Sequence, residues 1–137
     1  MKKLLALILT LLCILFAFAG CSLKESTYHP TEVENVSISI SNVSSTGATV
    51  IIKDTNAKSN CYGEWYAIEK EKDGTWYEVK TVIDDYGFNE LGYLTNDEGI
   101  VDFNIDWEWL YGKLPTGKYR LLKQVNNQYI SVVFEIA

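Results

Sequence analysis

The chain has 137 residues, with 12 basic and 18 acidic side chains and a single histidine, giving a net charge of −6 at neutral pH. Such an acidic balance repels phosphate backbones and anionic headgroups, which excludes nucleic acid as a partner and a basic membrane-binding face. The length is enough for one domain with a proper core and too short for two.

Met1-Lys2-Lys3 supplies a positive start, and residues 4–18 are apolar or small with Thr10 as their only polar member. This is the build of a secretory signal peptide. Phe18-Ala19-Gly20-Cys21 follows and resembles the bacterial lipobox, departing from it at Phe18, where that motif most often has leucine. The resemblance implies cleavage after residue 20 and a diacylated Cys21 as the new N-terminus. Two acyl chains are what stable anchoring to a membrane requires. The rival reading is an uncleaved membrane helix, for which 15 apolar residues are short. Either places the remainder outside the cytoplasm, on the outer face of the cell membrane. Loss of residues 1–20 removes Lys2 and Lys3 and leaves 10 basic against 18 acidic side chains, a net charge of −8.

Of the three cysteines, Cys13 leaves with the leader and Cys21 is acylated, so Cys61 has no intrachain partner. It reads as a small buried residue of a strand. Residues 21–32 are polar and aperiodic and read as a tether; His29 lies there, far from any partner for catalysis or metal binding.

From residue 33 the period changes to two, and residues 33–137 read as one domain. Val36, Ile38 and Ile40 alternate with serines, and Ala48, Val50 and Ile52 share a face, predicting two half-buried strands. A third strand over residues 61–69 meets a fourth over 76–83 across Asp73-Gly74, a hairpin signal. In residues 100–109 Val101, Phe103, Ile105, Trp107 and Trp109 predict one apolar face, opposite Asp102, Asn104, Asp106 and Glu108. Two last strands, 118–125 and 128–136, meet at Asn126-Asn127, a type I′ candidate, with Ile130, Val132, Phe134 and Ile136 on the buried side.

Seven or eight short strands without a long helix predict an all-β fold, an antiparallel β-sandwich, with a closed barrel as the alternative. Leu114-Pro115-Thr116-Gly117 is one residue short of a sortase signal, and no apolar span follows it. It reads as a turn that delivers Tyr119 to a strand. Immunoglobulin-like sandwiches place a tyrosine corner there and often bury a tryptophan where Trp65 stands. Leu121 occupies the position at which antibody domains carry a cysteine, so no inter-sheet disulfide is expected.

The runs Cys61-Tyr62-Gly63, Ile68-Glu69-Lys70, Asp73-Gly74-Thr75-Trp76-Tyr77, Ile105-Asp106-Trp107 and residues 111–120 (YGKLPTGKYR) together resemble a bacterial immunoglobulin-like domain family. That family occurs in secreted and lipid-anchored proteins, chiefly of Firmicutes. The resemblance covers residues 33–136 and implies a sandwich at the cell surface, without catalytic residues to carry over.

The chemistry is read accordingly. No enzyme is expected, because His29 is remote from every nucleophile and a small sandwich offers little cleft between paired carboxylates. Asp102-x-Asn104-x-Asp106 starts like a calcium loop, but Trp107 and Lys113 stand where glycine and glutamate are needed. No metal or cofactor is expected, and the domain reads as a monomer. Four tryptophans and nine tyrosines remain, and Trp76, Tyr77, Trp107 and Trp109 are the binding candidates. They would serve a protein partner or, alternatively, stack on a carbohydrate such as peptidoglycan. A spacer without a ligand is the third reading.

Overall fold

The structure is a computed structural model that describes residues 22–137; Cys21 and the leader lie outside the described residues. Alternation of branched apolar and polar residues produces nine strands: β1 (Val36–Ser41), β2 (Gly47–Asp54), β3 (Tyr62–Gly63), β4 (Ala67–Lys72), β5 (Thr75–Glu78), β6 (Gly92–Tyr93), β7 (Ile100–Asp106), β8 (Gly117–Val125) and β9 (Gln128–Ile136). One helical turn, α1 (Glu108–Tyr111), joins β7 to β8. The strands form a β1-β2-β7 sheet and a β5-β4-β8-β9 sheet, with β3 and β6 as a separate pair. Every pairing is antiparallel. Seven strands in two sheets are the expected sandwich, and it is closed without a disulfide, since Cys61 is free.

Register decides which residues meet between the sheets. Ala48, Val50 and Ile52 of β2 lie opposite Ile105, Phe103 and Val101 of β7. From the other sheet, Tyr119 and Leu121 of β8 lie opposite Phe134 and Val132 of β9. These apolar sets fill the core, with Trp107 fully enclosed among them. Trp107 and Tyr119 stack against Phe134, at ring-centroid distances of 5.4 and 5.6 Å. The Trp107 indole N–H donates to the Ser45 carbonyl at 2.9 Å, which satisfies the one polar atom it takes into the core. The tyrosine corner is present: the Tyr119 hydroxyl donates to the Pro115 carbonyl at 2.7 Å.

At the far end of β2 the Asp54 carboxylate is buried and accepts from the amides and side chains of Asn56 and Asn60 and from the Tyr62 hydroxyl. Burial would raise this carboxyl, but the donated bonds of Asn60, Asn56 and Tyr62 hold it down at about 2.

Several expectations are corrected. The strand expected over residues 61–69 is two, β3 and β4, because Tyr62 turns inward to Asp54. The preceding residue, Cys61, is consequently exposed instead of buried. The fourth strand stops at Glu78 instead of residue 83. β7 ends at Asp106, whose carboxylate accepts from the Glu108 amide at 2.9 Å and starts α1. That turn sends Trp107 inward and leaves Trp109 outside, so the two do not share a face. Trp65 is only half-buried and packs against Tyr28 and Tyr129; the enclosed tryptophan is Trp107. Asp73 and Gly74 both have positive φ, as a type I′ turn demands, whereas of Asn126 and Asn127 only Asn126 does.

The expected tether is part of the fold. The Ser26 amide donates to the Trp76 carbonyl and the Glu78 amide to the Lys24 carbonyl, so the chain pairs with the open edge of β5. It then crosses the outer face of the β5-β4-β8-β9 sheet, where Tyr28 packs on Trp65 and Tyr129 and the Thr31 amide reaches the Tyr129 carbonyl. Under this cover lie Ala67, Glu69 and Leu122, buried although they face outward.

Replacing Tyr119 with phenylalanine should lower unfolding free energy by about 1 kcal/mol, through the Pro115 carbonyl it strands. Urea midpoints measured side by side check this, and coincident curves would contradict it.

Candidate functional site

Residues 79–99 connect β5 to β7 and run between the two sheets. The Val79 amide donates to the Ile68 carbonyl, the Val82 amide to the Leu110 carbonyl, and β6 pairs with β3. Pinned at these points, the connection still presents Val82 (62% exposed), Leu91 (58%) and Leu94 (68%) to solvent, together with Ile83, Tyr86 and Tyr93. Trp109, 43% exposed, stands beside them, within 6.4 Å of Tyr86 and 6.0 Å of Phe88 between ring centroids. Loops are ordinarily polar, so apolar side chains exposed in this number make the connection the candidate contact face.

Between this connection and β7 runs a groove of about 430 Å³. β7 has β2 on one side only, so its other edge is free. Tyr66, Phe88, Tyr93, Phe103 and Trp109 line the groove, with Glu64, Asp102 and Asp106 supplying carboxylates. Glu64 accepts from the Tyr93 hydroxyl at 2.7 Å and from the Asn89 side-chain amide at 3.0 Å. The bond to Glu64 raises the Tyr93 phenol above its ordinary value. Tyr66 donates to the Asp106 carbonyl at 3.2 Å, and burial pushes its phenol up to about 12. The rings do not form a flat row. Tyr86, Phe88 and Trp109 meet at interplanar angles of 74° to 87°, and Tyr93 meets Phe103 at 85°.

A second cleft, of about 860 Å³, opens beside β4 and β5, with Tyr28, Tyr77, Tyr86 and Tyr111 among its walls. The Tyr111 hydroxyl accepts from the Ile68 amide at 3.3 Å, and burial raises its phenol strongly. Glu69 borders the cleft, paired with Arg120 through one carboxylate oxygen while the other, Oε1, has no hydrogen-bond partner.

The model of the bacterial Ig-like domain family matches residues 30–135. The chain belongs to that family. No curated protein and no solved structure gave a match. In this Ig-like domain the family match starts at residue 30, yet residues 24–29 already pack on the sheet.

The structure disperses the sequence-predicted residues. Cys21 lies outside the described residues. Trp107 is enclosed in the core and offers no surface. Trp76 is half-buried on the outer face, with the Arg120 guanidinium 4.6 Å from its ring centroid. Tyr77 pairs with Lys70 on the inner side and lines the larger cleft. Only Trp109 joins the exposed face. The residues that sequence reasoning missed are Tyr86, Phe88, Leu91, Tyr93 and Leu94. Their signal was an apolar density too high for a connection that shows no strand period.

Asn96 Oδ1 accepts from the amides of Glu98 and Ile100, closing the turn before β7. Among the described residues no group of three or more His, Cys, Asp or Glu side chains is placed to hold a metal ion.

Lys123 is the unexpected charge. It is fully buried in β8, donates to the Gly63 carbonyl at 2.6 Å and lies 3.8 Å from the Phe103 ring centroid, behind the groove. Burial lowers its ammonium from 10.5 to about 8, with Glu64 opposing. The unfolded chain therefore holds a proton that the fold releases between pH 8 and 10.5, and stability rises with pH across that window. Above about pH 10 the sign reverses, because buried Tyr62, Tyr66 and Tyr111 keep protons that unfolded tyrosines lose. Urea midpoints of the wild type should climb from pH 8 toward 10, and Lys123→Met should flatten the climb. A wild-type curve as flat as that of the variant would contradict the assignment.

Proposed function

We propose that this Ig-like domain is a non-catalytic interaction module, held on the outer face of the cell membrane through a diacylated Cys21 and binding a protein partner. The anchoring half of the reading rests on the leader and on Ala19-Gly20-Cys21. The binding half is carried by one observation, the arrangement of the exposed rings. Sugar recognition by stacking uses a face that a pyranose ring can lie on. Tyr86, Phe88 and Trp109 stand edge to face and occupy one another's faces, while the exposed Leu91 and Leu94 flank Tyr93, which lines the groove beside them. Aromatic and aliphatic anchors beside a polar groove are the composition of a protein contact. Glu64, Asp102 and Asp106 around the groove favour a partner segment that carries lysine or arginine.

A photo-crosslinking residue at Leu94, in cells that express the full chain, should yield a discrete protein adduct in the membrane fraction. The same residue at Asn127 should yield none, and Cys21→Ala should remove the chain from that fraction or leave it unprocessed. Absence of any adduct, combined with sedimentation on purified peptidoglycan that Trp109→Ala abolishes, would replace the protein reading with the glycan one. Unchanged lipid labelling of Cys21→Ala would overturn the anchor.

A further inference from the structure

We propose that one part of the exposed apolar face, made by Leu23, Val82 and Ile83, rests on the lipid bilayer that carries the anchor, which leaves the Tyr86, Phe88 and Trp109 cluster to a partner. This rests on the reading of Cys21 as acylated. The argument is one of chain length and position. Lys24 is already fixed, its carbonyl accepting from the Glu78 amide at 2.8 Å and its ammonium 2.9 Å from the Glu78 carboxylate. Only three residue steps separate it from Cys21, a reach of about 10 Å even fully extended. A domain leashed so tightly cannot tumble freely above the bilayer, and whatever surrounds Leu23 must lie near the headgroups.

What surrounds it is the apolar face. Leu23, 51% exposed, borders the same cleft as Thr81 and Tyr86. Val82 follows Thr81 directly, and its side chain packs toward Gly112 at the end of α1, the turn that carries Trp109. Lys24, Lys80 and Lys113 stand in sequence beside Glu25, Glu78, Asp84, Asp85 and Glu108, a net −2, so the lipid surface that suits this face is an uncharged one. Leu91, Tyr93 and Leu94, farther along the connection, stay clear of the bilayer and accessible to a partner.

The test uses the processed, acylated chain with Cys61→Ser, in vesicles of phosphatidylcholine with and without nitroxide-bearing phosphatidylcholine. Cys21 is blocked by its thioether, so a single environment-sensitive fluorophore can be placed at Val82→Cys or, as a control, at Asn127→Cys in the β8–β9 turn, three strands from β5. The mass of the chain reports the diacylglyceryl group independently. The proposal expects an emission shifted to the blue and quenched by nitroxide lipid at residue 82, and neither change at 127. Equal water exposure at both positions in a chain of acylated mass would overturn the docking and leave the anchor standing. A chain without the added mass that washes off the vesicles would overturn the anchor, and the docking with it. Shielding at residue 82 that appears without lipid and grows with protein concentration would assign the face to a second copy instead.

Discussion

The pairing of Glu69 with Arg120 sits at the centre of the β5-β4-β8-β9 sheet, on the face turned away from the core, and the N-terminal segment is folded over it. Glu69 is fully buried and Arg120 nearly so, and a carboxylate without its partner at such a site would cost several kcal/mol. The pair fixes β4 against β8 at one register position. Arg120 is in turn fixed from above by the Trp76 ring and by a hydrogen bond to the Ser26 hydroxyl. Since a buried pair of this kind stabilises little beyond what an apolar pair would, its consequence is geometric: Ser26 has one place to be, and so has the chain on either side of it.

That constraint propagates in two directions. Toward the C-terminal side it leads through Tyr28 and Thr31 to Tyr129 on β9, so the outward-facing Ala67 and Leu122 are covered instead of wet. Toward the N-terminal side it leads through Lys24 to within three residues of Cys21, so the anchor proposed there would also orient the domain. The connection between β5 and β7 emerges on the same side of the sandwich. Its apolar residues thus divide between the end near Leu23 and the end beside the β7 groove. The carboxylates of Asp102 and Asp106 line that free strand edge and discourage unspecific strand pairing.

Much of the fold was legible where the physics is local. Period-two alternation located β1, β2 and β9, and Asp73-Gly74 specified its turn because only residues tolerant of positive φ fit there. Tyr119 was legible because the proline-glycine turn before it has a fixed geometry. The site was less so. Trp107 and Trp109 look equivalent by period, and what separates them is a side-chain bond from Asp106 to an amide two residues on, which ends the strand. Residues 22–31 look like a tether because their stability comes from partners about 50 and 100 residues away, Trp76 and Tyr129, which no local pattern reveals. The same holds for Cys61, displaced outward by the pull of Asp54 on Tyr62.

The claim on which both the covered sheet and the short leash depend is that residues 24–31 belong to the folded domain. Amide hydrogen exchange on the chain from Ser22 onward tests it most directly. The account predicts that the amides of Ser26 and Thr31, which donate to Trp76 and Tyr129, are protected in the range of the β8–β9 ladder. Exchange of those two amides at the rate of an unstructured peptide, with β8 and β9 still protected, would contradict it.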